Sequence, residues 1–330
     1  MKKILMLTTG GTIASVASEE GLTPLGSDEI LRHLGESAGA FDLTVRELYA
    51  LDSTNIQPEE WKVIATEIFA GFGPYDGIVV THGTDTMAYT ASMMTFMIEN
   101  PPIPVVFTGS QVPISEALTD AVSNLRCAFA MAASGRAGIF VAFDRKIILG
   151  CRAVKVKTTA FDAFESVNLP YAAVVDAKGL QHNEAVLPAI SGPAKLDTDM
   201  DSDVFLLKLT PGSNPRIIDF LVDHGYRGIV IEAFGAGGIQ FIRRDFVAKL
   251  ALAEKNGVAV VVVSQCLYES SDLNIYQVGQ KALRQGAIEG VDMTTESAVT
   301  KLMWILGHTT SPAEVRAFFE RSVAGEIQFV

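Results

Sequence analysis

Along the N-terminal half of the chain, short apolar runs recur, each followed by a polar, glycine-bearing stretch and then by a segment of helical length. Residues 4–7 are continuously apolar, as in a parallel strand covered on both faces, and they run into Thr8-Thr9-Gly10-Gly11-Thr12. A second strand is expected near 43–48, ending in Leu51-Asp52-Ser53-Thr54-Asn55. Pro58-Glu59-Glu60-Trp61 then opens a helix with proline and acids in its first turn. Residues 77–80 form a third strand, which delivers Thr81-His82-Gly83-Thr84-Asp85-Thr86 to a helix over about 87–99. Residues 104–107 form a fourth, ending in Thr108-Gly109-Ser110-Gln111, and a helix near 119–134 and a strand at 138–143 continue the alternation. Between the first two strands, the polar residues 15–26 are long enough for a mobile lid, and residues 27–31 start a short helix ending near Gly35.

Alternating strands and helices make a right-handed parallel sheet whose carboxyl-end loops lie along one edge, so the four polar loops are expected to converge. They carry Thr12, Ser53, Thr54, Thr84, Asp85 and Ser110. From Lys146 the texture changes to short alternating runs at 152–157, 172–175 and 179–180, which read as hairpin strands at one edge of that sheet. Residues 188–202, with Pro188, Ser191-Gly192-Pro193 and several aspartates, read as a linker. Beyond it, strands near 204–209, 228–231 and 258–263 alternate with helices over about 215–225 and 243–256. Ser311-Pro312-Ala313-Glu314 carries the signature of a serine cap with a capping box. The expected fold is α/β, with two α/β domains. A larger N-terminal parallel-sheet domain with an edge hairpin, residues 1–187, carries the polar loops, and a smaller C-terminal α/β domain covers residues 203–330.

Composition narrows the function. The 330 residues suit two domains. A net charge of −12 argues against a nucleic-acid partner and favours a small zwitterionic or neutral substrate. The apolar run after Met1-Lys2-Lys3 stops at Leu7, too short for an export signal, and no run reaches the length of a membrane span; a soluble cytoplasmic protein is expected. Cys127, Cys151 and Cys266 are widely spaced and form no CxxC pair, which suits reduced thiols. His33, His82, His182, His224 and His308 are scattered, so no metal is expected. Thr9-Gly10-Gly11-Thr12 lacks both the lysine-hydroxyl ending of a P-loop and the three-glycine spacing of a dinucleotide fingerprint, and no cofactor is expected.

A threonine leaving a glycine turn beside free backbone N–H groups has the makings of a nucleophile with an oxyanion site next to it. Threonines in such a turn also serve merely to satisfy backbone groups, and the stretch by itself leaves both readings open. As a nucleophile Thr12 needs a group to take its proton. Asp85, Thr84 and a lysine, Lys155 or Lys157, suit that network; the alternative for both lysines is a solvated guard on an edge strand. His82, ahead of Gly83, reads as a packing or hydrogen-bonding residue at a strand end, and its nearness to Asp85 leaves a catalytic role as the alternative.

Thr9-Gly10-Gly11-Thr12-Ile13-Ala14 together with His82-Gly83-Thr84-Asp85-Thr86 resembles the paired signature of the bacterial-type L-asparaginase family, and the resemblance runs from end to end. The absence of a secretion signal resembles the cytoplasmic type I branch, as does Met293-Thr294-Thr295-Glu296 with Lys301-Leu302. The resemblance implies a flavodoxin-like larger domain and hydrolysis of L-asparagine to L-aspartate and ammonia through an acyl-threonine ester on Thr12. It implies Thr84, Asp85 and Lys155 as the accompanying catalytic set, with Lys155 preferred to Lys157 for its spacing to Phe161-Asp162-Ala163-Phe164. Gly11, Asp52, Ser53, Thr54, Thr84, Asp85 and Ser110 are implied to bind substrate, and backbone amides near Thr12 and Thr84 to hold the oxyanion. Many family members carry a tyrosine in the mobile loop where this chain has Leu22; Tyr276-Gln277-Val278-Gly279 resembles a setting in which some type I relatives supply one from the C-terminal domain. Gly237-Gly238 stands where secreted relatives have an asparagine from a neighbouring subunit, and Ser264-Gln265-Cys266 resembles an allosteric asparagine site. A homodimer or homotetramer is implied. The rival readings are a non-catalytic asparagine-sensing protein and the amidase subunit of a tRNA-dependent amidotransferase. The latter carries an extra N-terminal domain, not expected here because the first strand begins at Lys3.

Overall fold

The computed structural model describes residues 1–18, 21–24, 32–33, 35, 39 and 41–328. The expected helix at 27–31 lies outside the described residues. The chain divides into two compact units, Met1–Asp197 and Thr198–Val330.

The first unit is built on an eight-stranded sheet. Its parallel strands are β1 (Lys3–Gly10), β4 (Asp42–Leu51), β5 (Gly77–Thr81), β7 (Pro104–Thr108) and β8 (Gly138–Phe143), in the spatial order β4-β1-β5-β7-β8. Numbered among themselves, these strands run 2-1-3-4-5, the flavodoxin-like order, in which the strand sequence reverses direction between the first and third. That switch point lies between β1 and β5, whose following loops carry Thr12 and Thr84. β1 is buried from Ile4 onward, as its unbroken apolar run requires of a strand covered on both faces. The sheet continues antiparallel through β9 (Lys146–Leu149) into an edge hairpin of β12 (Ala173–Asp176) and β13 (Gly179–His182).

Three local expectations change. The polar stretch expected as a loop contains a small hairpin, β2 (Ser15–Ser18) with β3 (Gly21–Pro24). The run at 152–157 does not join the edge of the main sheet. Its strand, β10 (Ala153–Lys155), pairs with β11 (Phe164–Ser166) as a separate ribbon, since the turn at 150–152 leads it out of the sheet after β9. Within the expected linker, β14 (Lys195–Leu196) pairs antiparallel with β6 (Ile98–Glu99).

Helix α1 (Pro58–Ala70) begins as its sequence dictates, with Gln57 N–H donating to the Glu60 carboxylate at 2.9 Å. Helix α2 (Met87–Met97) is buried along nearly its whole length and α3 (Ala121–Ala132) on its apolar face.

The second unit is a four-stranded parallel sheet, β15 (Val204–Lys208), β16 (Gly228–Ala233), β17 (Ala259–Ser264) and β18 (Ala287–Glu289). Helices α4 (Arg216–Asp223) and α5 (Val247–Lys255) fall where expected. Two more, α6 (Gln277–Arg284) and α7 (Thr295–Leu306), were not legible in the pattern. The last helix, α8 (Pro312–Phe319), lacks the expected serine cap. Thr309 intercepts it, accepting the Ser311 N–H at 3.0 Å and donating its hydroxyl to Glu314.

Candidate active site

The loops at the carboxyl ends of β1, β4, β5 and β7 interlock through glycines. Gly10 and Gly11 hold φ of +101° and +84°, and a Cβ on Gly11 would stand 2.4 Å from the Cα and N of Gly83. A Cβ on Gly10 would stand 2.4 Å from Leu51 O, one on Gly83 2.6 Å from Ser53 Oγ, and one on Gly109 2.4 Å from His82 O. The glycines let the four backbones approach to contact, so Thr12 and Thr84 each follow one of two touching glycines.

Each loop then presents its side chains. Thr12 opens a 3-10 turn and is half-buried. Asp52 caps the turn Ser53–Asn55; its carboxylate accepts both Thr54 N–H and the Thr54 hydroxyl at 2.8 Å. These two bonds hold the Asp52 carboxyl below its ordinary value, the backbone bond contributing most, so it stays ionised at neutral pH while exposed. Ser53 is buried, and its carbonyl accepts the Thr86 hydroxyl at 2.7 Å.

Lys155, at the end of β10, reaches the loop after β5. Its Nζ donates to Thr84 Oγ1 at 2.8 Å and to Asp85 Oδ1 at 2.7 Å. Lys155 is 18% exposed and Asp85 56%, so one partner is sheltered while the other stands open to solvent. Lys157 instead pairs with Asp162 in an exposed bridge and does not reach Thr84. The geometry therefore separates the two candidate lysines.

Ser110 is buried, and its hydroxyl donates to Val112 O at 2.8 Å, closing its own turn. Beside it lies a group that the sequence pattern does not single out. Gln111 Oε1 accepts a long bond from the Thr84 hydroxyl at 3.4 Å, while its amide donates to Thr158 O and Ala160 O at 3.0 and 3.1 Å. The Gln111 N–H is held by Asp120 at 3.0 Å, and Asn124 donates to both Asp120 and Gly109 O at 3.0 Å. Asp120 and Asn124 are four apart at the start of α3, a spacing that puts both on one helical face toward the loop. That spacing is a legible signal.

His82 is fully buried, as a packing and hydrogen-bonding residue should be. Burial pushes its imidazole down to about 4, against the opposing pull of a bond to Gly83 O. Tyr276 lies in the second unit, just ahead of α6, and is exposed; Ser264, Gln265 and Gly237 also lie there. Gln265 donates its amide to Leu209 O and Glu232 O at 2.6 and 2.9 Å. Of the Leu22 side chain nothing is described. Among the described residues no group of three or more His, Cys, Asp or Glu side chains is arranged to hold a metal ion, and no described helix is long and apolar enough to cross a membrane.

A family model described as Asparaginase, N-terminal matches residues 3–187, and one described as Glutaminase/Asparaginase C-terminal domain matches residues 203–319. The chain belongs to the asparaginase family. Within it, an L-asparaginase of Thermococcus kodakarensis is 45% identical over 329 residues, covering 98% of this chain and 99% of that protein. A glutamyl-tRNA(Gln) amidotransferase component from the same organism is 36% identical over 340 residues, covering 99% of this chain and 77% of that component. The solved structure of the thermostable L-asparaginase from Thermococcus kodakarensis superposes with a TM-score of 0.94 at 43% identity, covering 99% of this chain and 100% of that one. Both motifs that carried the resemblance stand at the switch point of this asparaginase-family sheet.

Proposed function

We propose that this protein is an amidohydrolase that converts L-asparagine to L-aspartate and ammonia through an acyl-threonine ester on Thr12. The observation that carries the reading is the contact set of Lys155 with Thr84 and Asp85, on the loop whose glycine touches Gly11, in a chain of the asparaginase family. Thr12 Oγ attacks the carbon of the side-chain amide, and backbone N–H groups near Thr12 and Thr84 stabilise the oxygen anion that forms. The proton leaving Thr12 is carried by the Thr84, Lys155 and Asp85 set to the amide nitrogen, which departs as ammonia. Water then adds to the ester carbon, aspartate leaves, and Thr12 recovers its proton. The substrate's ammonium group is held by the Asp52 and Asp85 carboxylates, and its α-carboxylate by Ser53 and Thr54, with Gly11 and Ser110 shaping the floor.

The same reading includes a homodimer or homotetramer in the cytoplasm, Tyr276 as the group that activates Thr12 in place of a tyrosine at position 22, and regulation by asparagine at the Ser264-Gln265-Cys266 stretch. Light scattering tests the first. A Tyr276→Phe variant with full turnover removes the second, and a hyperbolic rate curve over the whole asparagine range removes the third.

Ammonia release measured on L-asparagine, D-asparagine and L-glutamine tests the reading as a whole. L-asparagine is expected to turn over fastest. Glutamine differs by one methylene, which typically changes discrimination by ~1–3 kcal/mol, so a slower glutaminase rate fits and a dominant one does not. No release from any of the three would favour the sensing protein.

A further inference from the structure

A chain of buried hydrogen bonds runs from α1 through α2 to the loop after β5. Trp61 Nε1–H donates to Thr90 Oγ1 at 2.9 Å, Thr90 Oγ1 lies 3.0 Å from His82 Nε2, and His82 Nδ1 lies 2.7 Å from Gly83 O. Trp61, Thr90 and His82 are 6%, 0% and 0% exposed. Chemistry fixes the direction of every link. Gly83 O can only accept, so Nδ1 carries the imidazole proton. Indole N–H can only donate, so it fills an acceptor position of the Thr90 hydroxyl, whose own proton is left for Nε2. The chain therefore holds one tautomer of His82, which stays neutral through the neutral range because burial lowers it to about 4.

The end of the chain matters because of where Gly83 O belongs. The peptide between Gly83 and Thr84 is trans, so its C=O and its N–H point in opposite directions. A carbonyl held on the His82 side turns the Thr84 N–H away from α2. Gly83 itself has no side chain to steady it, and its Cα and N are pressed against Gly11. We propose that Trp61, Thr90 and His82 are positioning residues that lock the Gly83–Thr84 peptide plane and thereby aim the Thr84 N–H as an oxyanion donor. None of the three touches substrate. The proposal rests on the amidohydrolase reading, because it assigns that N–H a task only the transition state calls on.

The test compares His82→Asn, His82→Leu, Thr90→Val and Thr90→Ser in the full chain. Asparagine places its amide nitrogen near the position of Nδ1 and keeps a donor for Gly83 O; leucine does not. Losing an oxyanion donor typically costs about 10²–10³-fold in kcat, and a donor that is misaimed but present should lose about 10–100-fold with KM within about twofold. His82→Leu and Thr90→Val are expected to behave so, with His82→Asn and Thr90→Ser near wild type. Equal loss in His82→Asn and His82→Leu, a loss confined to KM, or no loss in His82→Leu overturns the proposal. A second measurement survives any folding failure of the variants: ¹⁵N NMR of the histidine-labelled wild type, with five histidines to resolve. Because Nδ1 of His224 and of His308 also faces a backbone carbonyl, the ring is assigned to His82 first. It is expected to stay the Nδ1-protonated tautomer across neutral pH, and an averaged or Nε2-protonated His82 ring overturns the proposal. If the wild type releases no ammonia from L-asparagine, the functional reading fails while the tautomer result stands by itself.

Discussion

Gly11 shows how much of the site depends on single atoms. Its φ of +84° and the 2.4 Å that a Cβ would leave to Gly83 mean that even alanine is excluded, both by its own backbone conformation and by the backbone of the loop after β5. Gly11→Ala is expected to destabilise the first unit by more than about 1 kcal/mol and to lower kcat by ~10²-fold through displacement of the loop after β5, read by denaturant melts and steady-state rates. Lys155→Met, which removes the cation from Thr84 and Asp85, is expected to cut kcat by ~10²–10⁴-fold, whereas Lys157→Met, on its own bridge to Asp162, should leave the rate within about twofold. His82 adds a pH dependence. Its folded value of about 4 lies below the unfolded 6.5, so the unfolded chain binds the extra proton in that window. Stability worth about 3 kcal/mol is present above pH 6.5 and lost as pH falls toward 4. Denaturant midpoints across that range should fall less steeply in His82→Asn; identical slopes in the two proteins would contradict this.

Among the elements, β1, β5, β7, β8, β16 and β17 were readable because each carries a continuous apolar run, the mark of burial on both faces, whereas β4 is an alternating, half-exposed edge strand and β18 is too short to stand out. The separate ribbon of β10 and β11 was not readable. Alternation at 152–157 announces a strand but does not say which partner it pairs with, and the tertiary path after β9 decides. Helix α6 is short and buries only Gly279 and Ala282, whereas α7 was not legible because it is buried on most of its surface and so lacks the polar face that marks a helix in sequence. That burial includes Lys301, which is 0% exposed, donates to Glu326 at 2.6 Å and to Arg321 O at 2.9 Å, and so fastens the turn after α8. Burial alone raises the Glu326 carboxyl. The Lys301 charge and hydrogen bonds from Lys301, Ala324 and Val323 overcome it and hold the group below the ordinary 4.5. The contribution is therefore present above that value and lost as pH falls through the depressed one. Glu326→Gln strands the buried ammonium and is expected to cost about 3–5 kcal/mol in a denaturant melt of the whole chain.

At the scale of the whole molecule, the chain's excess of acids, −12 in net charge, fits a small zwitterion held by local carboxylates and hydroxyls better than a phosphate backbone. The residues proposed for the site stand out in the sequence because the proposed nucleophile Thr12, with Thr84 and Asp85, lies in two glycine-anchored motifs at the ends of β1 and β5. Gln111 was not legible because an ordinary polar residue gains meaning only from its contacts, and the Asp120–Asn124 spacing marks a shared helical face without saying which loop that face meets. If the site binds L-asparagine, the ligand stabilises the folded chain by mass action, about 2.7 kcal/mol at a hundred times its Kd. A Thr12→Ala protein that no longer consumes the ligand should melt at a higher temperature with L-asparagine than with L-lysine, and equal melting with both would argue against the assigned pocket. The central claim meets its most direct test in ammonia release from saturating L-asparagine by wild type, Thr12→Ser and Thr12→Ala side by side. The expected result is turnover by the wild type, a reduced rate with serine, which retains a hydroxyl, and none above background with alanine. An alanine variant that releases ammonia at the wild-type rate would contradict Thr12 as the nucleophile.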